Sequence, residues 1–171
     1  MPKEKSGNQR VKHATHIEID GILFTSKVEA YYYTILKQQR DSGAIAGFTL
    51  QSVFEFQPQF RKCVVPGCGW RWIKPSKENK SELKRYADIR ECPKCGADLE
   101  LIREMSYVCD FLVTDLDGRE HVIDVKSSPY FQTEIFKLKR RMFEWLYPDR
   151  RLEMVFPKLP KKWDPNKEKV F

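Results

Sequence analysis

Two cysteine pairs constrain this chain more than any other feature. Cys63-Val64-Val65-Pro66-Gly67-Cys68 and Cys92-Pro93-Lys94-Cys95 each hold two thiols at the ends of a short turn, and a glycine follows each pair, Gly69 and Gly96. A turn of this kind aims two thiolates at one point, and two such turns complete a closed tetrahedral four-sulfur site. Scattered thiols or disulfides are the alternative. Met1–Thr15 is polar and basic with no apolar run, so no export signal is visible and disulfides are disfavoured. The spacing predicts a structural zinc held by Cys63, Cys68, Cys92 and Cys95, with no ligand position open for chemistry. It also predicts that residues 61–106 form an inserted four-cysteine zinc ribbon. The intervening Arg71, Lys74, Lys77, Lys80, Lys84 and Arg85, with Trp70 and Trp72, read equally well as a DNA-contacting surface or as a solvated ribbon tip. Cys109, the fifth cysteine, reads as a core thiol.

Around this insertion the sequence is that of a soluble α/β protein. Its 171 residues are 41% hydrophobic and 32% charged, and its longest apolar run, Gly43–Phe48, is too short to cross a bilayer. No membrane partner and a cytoplasmic location are expected. Met1–Thr15 reads as a flexible basic arm. A hairpin is expected around Asp20-Gly21, then a helix from Ser26 to about Gly43 with Val28, Tyr32, Ile35 and Leu36 inward. Strands follow at Ile45–Leu50, Val53–Gln57, Tyr107–Thr114, Arg119–Lys126 and Arg151–Phe156. A second long helix over about Thr133–Tyr147 is expected to carry its apolar stripe on Ile135, Leu138, Met142 and Trp145. Residues 157–171 read as a C-terminal tail.

The net charge of +7 suggests a polyanionic partner. Its distribution says more: residues 107–126 carry −3 inside an otherwise basic frame. Alternation in the two strands there puts Val108, Asp110 and Leu112 on one face, and Val122, Asp124 and Lys126 on one face. A three-residue loop, Leu116-Asp117-Gly118, sets Asp110 across from Asp124, Leu112 across from Val122 and Val108 across from Lys126. A two-residue turn would instead send the aspartates to opposite faces; the first register is preferred because it leaves one consistent apolar face. Opposed carboxylates repel, and Mg²⁺ (or Mn²⁺) held by Asp110, Asp124 and the Val125 carbonyl would compensate. Such an ion activates water and polarises a phosphate oxygen, and Lys126 is placed to orient that water or to stabilise the charge that builds. Taken singly, Asp-x-Lys reads rather as strand-end charges; Asp110 on the neighbouring strand and the basic helix that follows turn the joint pattern toward a site. Ser26-Lys27-Val28-Glu29 likewise reads as a capping box; Glu29 would also point toward the sheet end as a third carboxylate.

Together these residues resemble the PD-(D/E)xK nuclease superfamily, and more narrowly the small phage and prophage endonucleases related to Holliday-junction resolvases. The resemblance is carried by Phe24–Tyr32, Gly47–Gln51, Tyr107–Phe111, Val122–Lys126 and Phe136–Lys139. It implies a restriction-endonuclease-like mixed sheet flanked by helices, with a nuclease core over residues 16–60 and 107–156. It also implies catalytic Glu29, Asp110, Asp124 and Lys126, Mg²⁺-dependent hydrolysis leaving a 5′-phosphate, and Gln51 in support. Cys109 stands where the motif has its proline. Branched DNA is the expected substrate, with nicking or double-strand cleavage of linear DNA as the alternative. Lys27, Lys137, Arg140 and Arg141 are candidate phosphate contacts. A homodimer is expected, since symmetric cleavage of a junction needs two sites, and a bacterial host cytoplasm if the chain is phage-encoded. The rival readings are a non-catalytic zinc-containing DNA-binding protein and a zinc-ribbon adaptor that binds protein.

Overall fold

The structure, a computed structural model, describes residues 16–130 and 132–164. The expected arm over residues 1–15 and the end of the tail from 165 lie outside the described residues. Over what is described, the chain is mixed α/β, with several sheets and three helices. No helix there is long and apolar enough to cross a membrane. Contacts divide the chain into two compact units. The first takes residues up to Leu50, Asp110–Thr133 and residues from Leu152 on; the second takes Gln51–Cys109 and Glu134–Arg151. The second unit thus groups residues 51–60, 107–109 and 134–151 with the cysteine-rich segment, a wider set than the expected insertion.

The first unit opens with a hairpin, β1 (Ile17–Ile19) and β2 (Ile22–Phe24). Asp20 (φ 54°) and Gly21 (φ 75°) are both left-handed, the turn geometry that follows the twist of paired strands. The Asp20 carboxylate accepts from the Tyr33 hydroxyl at 2.8 Å and from Lys37 Nζ at 2.6 Å, tying the hairpin to the next element. That element is α1 (Lys27–Asp41), capped by Ser26, whose Oγ accepts from the Glu29 amide at 3.3 Å. Its buried residues are Ala30, Tyr33 and Leu36. The expected inward stripe is therefore rotated: Val28, Tyr32 and Ile35 are only half-buried. Tyr33 can turn inward because Asp20 satisfies its hydroxyl.

The helix covers a four-stranded sheet in the order β11 (Leu152–Val155), β10 (Glu120–Val125), β9 (Phe111–Thr114), β3 (Gly47–Leu50). β10 and β11 are parallel and the other pairs antiparallel. Phe111, Val113, Ile123 and Val125 meet Ala30, Tyr33 and Leu36 in one core. Gly118 (φ 83°) closes the loop between β9 and β10, and the register runs from Glu120 opposite Thr114 to Ile123 opposite Phe111, with Leu112 opposite Val122. The chain after β11 is not a free tail over residues 157–164. Trp163 is buried edge-on to Tyr31, with ring centroids 5.5 Å apart, because a large ring gains more from burial than a polar segment loses by being tied down.

In the second unit, β4 (Val53–Gln57) pairs with β8 (Met105–Val108), and α3 (Glu134–Leu146) packs on β4. A separate three-stranded sheet, β6 (Arg71–Ile73), β5 (Phe60–Cys63), β7 (Leu99–Ile102), carries the cysteine turns together with α2 (Lys80–Asp88). Two expectations are corrected here. Tyr107–Thr114 is not one strand; it breaks at Cys109–Asp110 into β8 and β9, so Val108 faces Val53 rather than Lys126. And α3 buries Phe143, not the Ile135–Leu138–Trp145 stripe, which is exposed. Phe143 wins because Phe54, Tyr107 and Tyr147 surround it at centroid distances of 5.0, 6.0 and 5.1 Å.

Candidate active site and metal centre

The geometry of the first unit brings the predicted acids to one end of its sheet. β9 and β10 are antiparallel, so the residue entering β9, Asp110, lies beside the end of β10, where Asp124 and Lys126 sit. The ladder stops at Phe111–Ile123, one pair before the aspartates would face each other. The Asp110 amide still donates to the Ile123 carbonyl at 3.1 Å. The Asp110 carboxylate then takes over as acceptor, receiving the Val125 amide at 2.6 Å. Lys126 is anchored on its other side by its own amide, which donates to the Val155 carbonyl of β11 at 3.0 Å.

Asp124 is the buried charged residue of the described chain, 5% exposed, and forms an ion pair with Lys126. The Lys126 ammonium also lies 3.4 Å from the Val125 carbonyl oxygen. Burial, then the charge of Asp124, pushes Asp110 up to about 6; the Val125 amide and Lys126 pull the other way. Glu29, on the first turn of α1, is pushed up to about 7 by burial and then by Asp110, with Asp124 adding to the shift and Ser26 and Lys126 opposing it. Four side chains from three elements therefore share one electrostatic environment. Their carboxylates do not close as tightly as the cysteines do: among the described residues, only the four sulfurs all lie within 4.8 Å of one another.

The donor chemistry fits a hard divalent cation: carboxylate oxygens and a main-chain carbonyl, partly withdrawn from water. Glu29, Asp110, Asp124 and the Val125 carbonyl would hold it. The Val125 amide, which fixes Asp110, escaped the sequence reading; its signal was the strand-end position of Asp110 next to a turn-defined register.

In the second unit Cys63 and Cys95 sulfurs are 3.4 Å apart, and Cys68 and Cys92 sulfurs 3.7 Å. A tetrahedral zinc with bonds of about 2.3 Å has sulfur–sulfur edges of about 3.8 Å, so the set can hold such an ion. The Val65 amide donates to Cys63 Sγ at 3.4 Å. That bond lowers the Cys63 pKa, but burial and the neighbouring sulfurs of Cys95, Cys68 and Cys92 raise it to about 12. Burial raises Cys92, yet the Lys94 and Cys95 amides and the Cys95 and Cys68 sulfurs bring it down to about 7. Amides aimed at sulfur favour thiolates, the form a metal needs.

The candidate phosphate contacts fare unevenly. Lys27 is exposed, with its ammonium 6.0 Å over the Trp163 ring. Lys137 is paired with Glu134 at 2.7 Å and Arg140 with Glu144 at 3.1 Å, while Arg141 is exposed. Gln51 adopts a left-handed backbone (φ 51°) just after β3. Trp72 is half-buried and lies edge-on to Tyr86 at 5.6 Å.

Over residues 10–74 and 79–162 the chain matches the family described as "Protein of unknown function (DUF1064)". The chain belongs to that family. Beyond the DUF1064 match, no curated protein and no solved structure matches it.

Proposed function

We propose that this DUF1064 chain is a Mg²⁺-dependent (or Mn²⁺-dependent) DNA endonuclease of the PD-(D/E)xK type, acting on branched DNA, with a structural zinc in its cysteine-rich sheet. One observation carries the reading: Glu29, Asp110, Asp124 and Lys126, far apart in sequence, share one electrostatic environment at the end of β9 and β10. The restriction-endonuclease-like assignment is supported by the order of elements. α1 precedes three antiparallel strands, β3, β9 and β10, and α3 leads from β10 into the parallel β11.

A divalent cation bound by the acids would polarise a phosphate oxygen and lower the pKa of a water beside it. The protein's own part is positional. The Val125 amide locks the Asp110 carboxylate, and the pair Asp124–Lys126 holds an ammonium at the mouth of the acidic cluster. That ammonium attracts the phosphodiester and stabilises charge developing on it. Burial and then Asp110 raise Glu29 to about 7, so its carboxyl is partly protonated near neutrality and would pass that proton to water on binding a cation.

The test is cleavage of junction, flap and linear duplex DNA with Mg²⁺ or with EDTA, beside Asp124→Ala. The expected result is Mg²⁺-dependent cleavage, strongest on the junction. Asp124→Ala should lower it by on the order of 1,000-fold or more while folding and DNA binding persist. DNA binding without any cleavage would favour the non-catalytic DNA-binding reading. Metal analysis should return one zinc per chain, lost on replacing Cys92 with serine.

A further inference from the structure

The basic stretch between the two cysteine turns takes a definite place in the fold. Residues 71–90 hold seven cationic side chains against three acidic ones. Other cations of the same unit are engaged: Lys62 pairs with Glu100 at 3.2 Å, Arg61 donates to the Tyr86 carbonyl at 3.1 Å, and Lys94 donates to the Cys68 carbonyl at 2.6 Å. Lys74, Lys77, Lys80, Lys84 and Arg85 differ. All five are exposed, and none is in an ion pair among the described residues. The acids among them do not neutralise them. Glu82 accepts from the Asn79 side-chain amide at 2.8 Å in the cap of α2, Glu78 is held below the ordinary carboxylate value by its own amide, by Ser76 and last by Lys77, and Asp88 stands at the far end of α2. Lys80 and Lys84 lie one turn apart on α2, a like-charge spacing that costs a helix stability instead of adding to it.

Packing decides which way these cations face. Tyr86 is buried edge-on to Trp72 of β6, and Leu83, one turn before it, is half-buried. Lys84 and Arg85 therefore fall on the side of α2 away from the sheet. Arg71 does not share this surface: it stands opposite Lys62, on the other face of the sheet from Trp72. We propose that the loop from Lys74 and the outer side of α2 form a docking surface for the sugar-phosphate backbone of duplex DNA, held without regard to base sequence. Three features select that partner. Four of the five cations are lysines, point charges without the fork by which arginine grips a single carboxylate or phosphate. Attraction to them follows charge density, and duplex DNA carries one charge per about 1.7 Å of its axis. The rings that would stack on the bases of a single strand, Trp72 and Tyr86, are committed to each other. The large apolar residues of α2 turn inward, so its outer side offers nothing to enter a bilayer. The choice of DNA rests on the proposed function, but docking involves no cleavage, so the two readings fail separately.

Fluorescence anisotropy of a labelled linear duplex, with the zinc-loaded full chain, Ca²⁺ in place of Mg²⁺ and a series of salt concentrations, tests it. The wild-type chain should bind with an affinity that falls steeply as salt rises. Lys77→Gln, Lys80→Gln and Lys84→Gln combined should lower the affinity on the order of 10-fold or more near ~0.1 M salt and reduce the slope of log affinity against log salt by about 2 to 3, close to one for each phosphate contact removed. Zinc content and far-ultraviolet circular dichroism should not change. The same three positions changed to arginine should keep both affinity and slope. Arg71→Gln, on the other face of the sheet, should leave the slope unchanged. A glutamine variant that binds with wild-type affinity and slope overturns the proposal. So does an Arg71→Gln variant that lowers the slope as much as Lys84→Gln, or a wild-type chain that prefers a single-stranded oligonucleotide or anionic phosphatidylserine vesicles to the duplex. A chain that shows the expected slopes yet cleaves nothing upholds the surface and ends the nuclease reading; a chain that cleaves while its glutamine variant binds as before ends the surface alone.

Discussion

The Asp110 carboxylate stands in for a backbone carbonyl. By accepting the Val125 amide at 2.6 Å, it replaces the rung the ladder would otherwise have formed and leaves β9 free to end there. A carboxylate fixed in that way cannot turn from its neighbour, and Asp124 is the second cause of its raised pKa, after burial. Replacing Asp124 with asparagine should therefore lower the Asp110 pKa from about 6, leaving it above the ordinary value through burial alone; carboxyl carbon NMR titration reads this directly. An Asp110 that titrates unchanged in Asp124→Asn would show that the two carboxylates do not communicate. The register that brings these residues together was legible in the sequence, because Gly118 at a left-handed position and the apolar pattern of both strands agree on one alignment. The break at Cys109–Asp110 was not legible. No glycine or proline marks it; it comes from β8 pairing with β4, a long-range preference that local propensity does not carry.

At the level of elements, the parallel pair β10–β11 is pinned by a side-chain clamp away from the acidic cluster. His121 places Nδ1 2.8 Å from Glu153 and Nε2 2.8 Å from Asp115. Glu153, then Asp115, raises its pKa above the ordinary 6.5. The folded state thus favours the imidazolium. This stabilisation is complete below the unfolded value and fades as pH rises through the raised folded value. Urea denaturation of wild type and His121→Gln should show the largest stability gap near about pH 5–6 and a shrinking one toward about pH 8. A gap that grows with pH would contradict the clamp. The helix α3 offers a sharper contrast between faces. Phe143→Ala should cost about 3–5 kcal/mol, the loss of a fully enclosed ring. Trp145→Ala should change the stability of the monomer by less than about 0.5 kcal/mol. Periodicity alone could not tell these faces apart, because α3 has apolar residues on both; only the aromatic partners Phe54, Tyr107 and Tyr147 decide which turns inward.

Across the whole molecule, two different cohesive devices are at work. The first unit rests on a hydrocarbon core between α1 and the four-stranded sheet, with Trp163 added from a segment whose prolines and lysines conceal its packing in the sequence. The three-stranded sheet of the second unit has strands of three or four residues, and α2 buries only Tyr86. Strands this short and a helix with one buried anchor do not offset their ordering entropy by themselves. Four sulfurs that could hold a metal ion converge there from the two turns, between β5 and β6 and before β7, as the cysteine spacing predicted. Metal bound there would contribute folding free energy outright, on the order of 10 kcal/mol for a structural zinc site. Removal of the metal by a strong chelator should therefore abolish amide-exchange protection in residues 60–63, 71–73 and 99–102. The amides of Val122–Val125 should keep theirs, because Val122, Ile123 and Val125 are held by apolar packing and by neighbours on both sides of the sheet. Hydrogen exchange with mass spectrometry distinguishes the outcomes. Uniform loss of protection would mean that a single cooperative unit spans the chain, and undiminished protection at residues 60–63 would mean that the short sheet holds without its ion.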